Sequence, residues 1–150
     1  MTIWQMPAKP GTAMTTNNAV FVDTSAFYAL MDSSDKHHAE AAALWTSLIK
    51  ENSQLLTTSY VVLETVALLQ NRLGFDAASL WYWDILGAVE VLWTDEYLHR
   101  LSFELWLSLG KRRLSLVDCV SFVVMRQRRS VRAFCFDRHF ADEGLEIMPV

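Results

Sequence analysis

Residues 19–27 read AVFVDTSAF: a short apolar run rich in Val and Phe, an acid at Asp23, then Thr24 and Ser25. β-branched and aromatic residues favour an extended chain, and either hydroxyl can cap a helix, so the stretch predicts a strand running directly into a helix. The alternation continues to the end of the chain. Apolar residues at helical spacing predict helices over 35–51, 59–73, 76–88, 96–109 and from Ser115 to about Arg129, with Gly74 and Gly110 as stop residues. Strands are predicted between them over 55–58, 90–94, 132–136 and 146–148. Such alternation predicts an α/β fold with a central, mostly parallel sheet flanked by helices.

At 150 residues and 52% hydrophobic, the chain has the length of one domain, enough to bury roughly two thirds of its unfolded surface. That domain is expected over 19–150. The preceding MTIWQMPAKPGTAMTTNN lacks the apolar core of a secretory signal and has the Pro, Gly, Thr and Asn content of a tail, so 1–18 is expected to be a flexible extension. Apolar runs such as SYVVLETVALL are broken well before the roughly 18 residues a bilayer requires, so no membrane partner is expected. Cys119 and Cys135 each lie inside an apolar stretch, without CxxC or zinc spacing. They are expected to be buried free thiols, in keeping with a cytoplasmic address.

Net charge is −4, which taken alone argues against a nucleic-acid partner. Its distribution argues the other way. Residues 100–138 hold nine basic side chains against three acids, a local +6 that leaves −10 for the rest of the chain. The asymmetry predicts a basic surface able to follow a phosphate backbone, although charge runs are commonly just solvated faces.

Four acids interrupt or end apolar runs: Asp23 in VFVDTSAF, Glu64 in VVLETVALL, Asp118 in LSLVDCVSF and Asp137 in AFCFDRHF. An ionised carboxylate in such surroundings is costly unless something pairs it, and no Lys or Arg lies within helical reach of Glu64 or Asp118. A shared divalent cation would answer for all four. In open α/β sheets the functional crevice lies outside the carboxyl ends of the strands. Asp23 and Asp137 follow strands, while Glu64 and Asp118 fall in early turns of helices that begin on that rim, so the four can converge. Simpler roles compete: Asp23 as a helix cap, Asp137 as the cap of a turn through Arg138 and His139, and Ser115 with Asp118 as an S-x-x-D capping box. Glu64 resists such a role, because its helical neighbours Tyr60, Val61, Ala67 and Leu68 are mostly apolar.

With VDTSA near the start, an acid in the helix after the second strand, LSLVDCVSF and a strand ending in FDRHF, the chain resembles a PIN domain over about residues 19–150. More narrowly it resembles the VapC-type toxins of bacterial toxin–antitoxin pairs, including the DKHHAEAAALW stretch. The resemblance implies a Rossmann-like three-layer fold and a ribonuclease that uses Mg2+ or Mn2+. It places catalytic and metal-binding carboxylates at Asp23, Glu64, Asp118 and Asp137, supported by Thr24, Ser25 and Ser115. It also implies an RNA substrate, a homodimer and a small VapB-like antitoxin that covers the acidic groove. Some relatives carry a further ligand in the last motif. Here that place holds His139, and Asp142 is poorly spaced to replace it.

A carboxylate cluster without His or Cys is the donor set of a hard cation. Arg126, Arg128, Arg129 and Arg138 are candidate RNA contacts, although the helix dipole explains part of the Arg126–Arg129 group. His37 and His38 are expected to be partly exposed and structural. Trp81, Tyr82 and Trp83 are consecutive on one helix, so at least one must be exposed or at an interface, whereas Trp45, Trp93 and Trp106 are expected to be buried. A receiver-type domain would want paired early acids and a late Lys, and a haloacid-dehalogenase-like phosphatase would want D-x-D where Ser25 stands. The remaining rival is a PIN-like binding module that has lost activity.

Overall fold

The computed structural model describes residues 19–130 and 132–150, so the extension expected over 1–18 lies outside the described residues. Five strands form one sheet in the order β3-β2-β1-β4-β5, every neighbouring pair parallel. They are β1 (Val20–Val22), β2 (Leu55–Thr58), β3 (Glu90–Leu92), β4 (Arg132–Phe134) and β5 (Glu146–Met148). The helices between them are α1 (Thr24–Met31), α2 (His38–Lys50), α3 (Ser59–Leu73), α4 (Phe75–Leu80), α5 (Glu96–Leu109), α6 (Leu116–Gln127) and α7 (His139–Asp142).

Successive strand residues face opposite sides of a sheet, and Val20, Phe21 and Val22 are all fully buried. Both faces of the central strand are therefore covered, which is the three-layer arrangement a parallel sheet requires. Helix α6 packs against β2, α3 and α5, and α1 packs against α2 and α3. Every residue of α6 from Cys119 to Met125 is buried, so this helix forms much of the core.

The helix caps refine the expected boundaries. Asp23 is itself the N-cap of α1, accepting the Ser25 amide, so neither Thr24 nor Ser25 takes that place. Thr58 caps α3 by accepting the Val61 amide at 3.1 Å, one residue before the predicted Ser59. Gly110 ends α5 in the left-handed region, where a side chain would be strained. The helix predicted over 76–88 is divided: after α4 come a π turn over Trp81–Ile85 and a 3-10 turn over Leu86–Ala88.

Trp81 is fully buried edge-on to Phe27, with ring centroids 5.0 Å apart, while Trp83 is 74% exposed, as three consecutive aromatics on one helix require. The burial expected of Trp93 and Trp106 does not hold. Trp93 follows edge strand β3 and is 74% exposed; Trp106, half-exposed near the end of α5, uses its indole N–H to donate to the Leu114 carbonyl at 3.0 Å. Trp45 is half-buried. Cys119 and Cys135 are buried free thiols. Among the described residues, no helix is long and apolar enough to cross a membrane.

Candidate functional site

Each of the four acids reaches the carboxyl rim of the sheet from a different element. Asp23 follows β1, and its Oδ2 accepts the Ser25 amide at 3.2 Å and the Ser25 hydroxyl at 2.7 Å. Ser25 Oγ in turn accepts the Phe136 amide at 3.0 Å, and the Asp23 amide donates to the Phe134 carbonyl at 3.1 Å. The chain ends of β1 and β4 are thereby stitched together. This also corrects the strand expected through 136: the Ser25 hydroxyl takes the Phe136 amide away from ladder pairing, and β4 stops at Phe134.

Asp137 consequently lies in a turn, its Oδ1 accepting the His139 amide at 3.0 Å. Asp118 sits in the first turn of α6 in a reciprocal capping box: its amide donates to Ser115 Oγ and its Oδ2 accepts the Ser115 amide, both at 3.1 Å. The structural role weighed for Asp118 is therefore present, but it occupies only one carboxylate oxygen. Glu64 is exposed as a whole residue at the margin of the buried face of α3, yet its carboxyl is partly shielded from water there, so the sequence overstated its burial without misplacing it. The buried Thr24 hydroxyl donates to Glu64 and accepts from Thr65 Oγ1 at 3.2 Å.

These carboxyls share one electrostatic field. Burial, reinforced by the charges of Asp118 and Glu64, raises the pKa of Asp23 from 3.8 to about 6 against the opposing Ser25 hydrogen bonds. Desolvation is also the main cause of the raised pKa of Glu64, with Asp118 and Asp137 adding to it. Asp118 is raised by burial and by Asp137, opposed by Ser115 and His139. Among the described residues no Lys or Arg pairs with any of the four. Among the described residues, the ring near them is that of His139, 3.9 Å from Asp118 Oδ2 and 3.5 Å from Asp137 Oδ1.

An uncompensated, all-oxygen donor set around the buried Asp23 fits a hard divalent cation in chemical type. Among the described residues, no three His, Cys, Asp or Glu side chains are grouped tightly enough to hold an ion as they stand.

The family model for the PIN domain matches residues 20–144. The chain belongs to the PIN-domain family. Within it, this PIN domain is 33% identical over 132 residues to a Mycobacterium tuberculosis protein named 23S rRNA-specific endonuclease VapC20, covering 87% of this chain and 98% of the relative. The crystal structure of that toxin, described as cleaving the sarcin-ricin loop, superimposes with a TM-score of 0.76 and 32% identity, covering 84% of this chain and 95% of the other. FitAcB from Neisseria gonorrhoeae matches with a TM-score of 0.62 at 15% identity over 85% of this chain and 95% of the other, a likeness of fold.

The arginines divide. Arg126, Arg128 and Arg129 lie at the far end of α6: Arg128 pairs with Glu90, the first residue of β3, at 2.7 Å, and the following Ser130 hydroxyl donates to the Ala19 carbonyl at 2.8 Å, beside the start of β1. They thus stand at the amino edge of the sheet, opposite the acids, so the RNA contact expected of them is not supported by their position. Arg138 is on the acidic rim and exposed. The histidines early in the chain are structural: His37 stacks on Phe136 with centroids 4.3 Å apart, and His38 Nδ1 lies 2.8 Å from the Ala29 carbonyl.

Sequence reasoning missed Thr65, whose hydroxyl meets Thr24 across 41 positions, and it missed the meeting of Lys111 and Arg113 with His139 in one cleft. Neither arrangement leaves a local signal.

Proposed function

We propose that this PIN domain is a Mg2+- or Mn2+-dependent endoribonuclease, the toxin of a pair with a VapB-like antitoxin. The observation that carries the reading is Asp23: nine-tenths buried, without a cationic partner, and facing Asp118 and Glu64. Burying a carboxylate this way is unfavourable for folding alone, and perturbed carboxyls in a cleft are characteristic of catalytic sites. The 33% identity to an endonuclease that acts on 23S rRNA supports ribosomal RNA as the substrate class.

Asp23, Glu64, Asp118 and Asp137 would hold the ion, which when bound supplies positive charge to a phosphodiester and lowers the pKa of an attacking water. The chain's own hydroxyls orient the acids. Ser25 fixes one oxygen of Asp23, Thr24 fixes Glu64, and Ser115 fixes one oxygen of Asp118.

The partner reading has its own support. A groove of about 640 Å3 lined by Phe103, Trp106, Leu107, Leu114 and Leu116 opens beside Ser115, next to the helix start that carries Asp118. An amphipathic antitoxin segment seated there would lie within reach of the acids, and solved VapBC complexes share this fold. The exposed Trp83 and Phe75 offer apolar surface for a homodimer.

The deciding experiment incubates ribosomal RNA with the full chain and Mg2+ or Mn2+, alongside Asp23→Asn. Cleavage by the parent and its loss in the variant are expected. Equal cleavage by both would end the proposal, and no cleavage by either would favour an inactive binding module.

A further inference from the structure

An acidic centre repels the polyanion it is meant to cut, so a nuclease site of this type needs positive charge beside it. The arginines at the amino edge cannot provide it. A second cleft, of about 300 Å3, can: it is lined by Lys111, Arg113, Arg138, His139, Asp142 and Glu143. His139 belongs to both places, since its ring also stands 3.5 Å from Asp137 and 3.9 Å from Asp118. The cleft is therefore continuous with the acidic rim.

The partners of its charges differ. Lys111 is neutralised by Glu143 at 2.6 Å, an ion pair that fastens the loop between α5 and α6 to the segment after α7. The guanidinium groups of Arg113 and Arg138 make no hydrogen bond or ion pair among the described residues, although carboxylates stand nearby. Both residues are exposed, so nothing in the packing requires their charge. Arg presents a planar fork of donors suited to phosphate oxygens.

We infer that Arg113 and Arg138 form a phosphate subsite, which holds the RNA backbone next to the phosphodiester presented to Asp23, Glu64, Asp118 and Asp137. The inference rests on the proposed nuclease reading for its substrate, but it concerns binding and can be tested without cleavage.

The test measures anisotropy of a fluorescent single-stranded RNA with the full chain in EDTA, between 50 and 200 mM KCl. Each phosphate contact on a single strand contributes a slope of about −0.7 in log affinity against log salt. Arg113→Ala and Arg138→Ala are each expected to weaken binding and reduce that slope by about 0.7, with the double variant losing about 1.4. Arg→Lys at either position should retain the slope, and Lys50→Ala, at the end of α2, should match the parent. Circular dichroism melts confirm folding. An unchanged slope in the double variant overturns the inference. So does binding of an acidic peptide that requires both arginines while RNA binding does not. Failure of the parent to cleave RNA, with the slopes as expected, would remove the nuclease reading and leave the subsite.

Discussion

The amide of Phe136 donates to the hydroxyl of Ser25 at 3.0 Å across 111 positions of sequence. The same hydroxyl donates to Asp23 Oδ2 at 2.7 Å. One side-chain oxygen thus fixes the acid after β1 and the chain leading to the acid after β4.

Ser25→Ala should therefore damage the site more than its size suggests. Losing both hydrogen bonds is expected to cost about 1–3 kcal/mol of stability, with the Phe136 amide left without its acceptor. Removing a bond that lowers the Asp23 pKa should also raise that pKa further. Urea denaturation and RNA cleavage measured together check this, with Ser25→Thr as the variant that keeps the hydroxyl. Unchanged stability and cleavage in Ser25→Ala would contradict the stitching role.

Stability of the chelated protein should fall as pH rises from 4 to 7. Asp23 has a folded-state pKa of about 6 against 3.8, so between these values the folded state binds more protons than the unfolded one. Its contribution is present below 3.8 and lost as pH rises through about 6, on the order of 3 kcal/mol in total. Glu64 and Asp118 shift in the same direction. Asp23→Asn should flatten the profile and stabilise the protein at pH 7, read as the thermal midpoint in EDTA at half-unit pH steps. A parent profile that rises across this window, unchanged in Asp23→Asn, would contradict the raised pKa of Asp23.

The order of elements was legible because parallel-sheet strands are short apolar runs and helices carry capping residues, as at Asp95, whose Oδ1 accepts the Leu98 amide, and at Ser115. The acids were legible for the same reason: Asp23 and Asp118 break apolar runs that packing would otherwise keep apolar. What local sequence could not give was contact between distant segments. Glu64 has its partner in Thr24, and the arginines of residues 126–129 were separated from the acids by the length of α6, whose start and end stand at opposite edges of the sheet. Trp93 was misjudged because hydropathy does not say which strand is the edge.

Asp118 has two functions that substitution can separate. Asn retains an oxygen able to accept the Ser115 amide, whereas Ala removes that acceptor at a cost of about 0.5–2 kcal/mol. Asp118→Asn should melt at or above the parent temperature in EDTA, because it removes a charge that raises Asp23, and yet lose RNA cleavage. Asp118→Ala should lose both stability and cleavage. Cleavage retained by Asp118→Asn would confine this residue to the cap.

Divalent ions should stabilise the folded chain through the same carboxylates. Binding to the folded state alone adds RT ln(1 + [L]/Kd), about 2.7 kcal/mol when the ion is in 100-fold excess over Kd. The effect should be larger at pH 7 than at pH 5, because the ion competes with the proton that Asp23, with its pKa raised to about 6, retains at the lower pH. Thermal melts with MgCl2 or MnCl2 at constant ionic strength read this directly. Glu64→Gln and Asp23→Asn should each remove most of the shift, whereas Glu143→Gln, which changes a carboxyl paired to Lys111 in the adjoining cleft, should leave it in place. An ion-dependent shift of equal size in Asp23→Asn would place the ion elsewhere in the molecule.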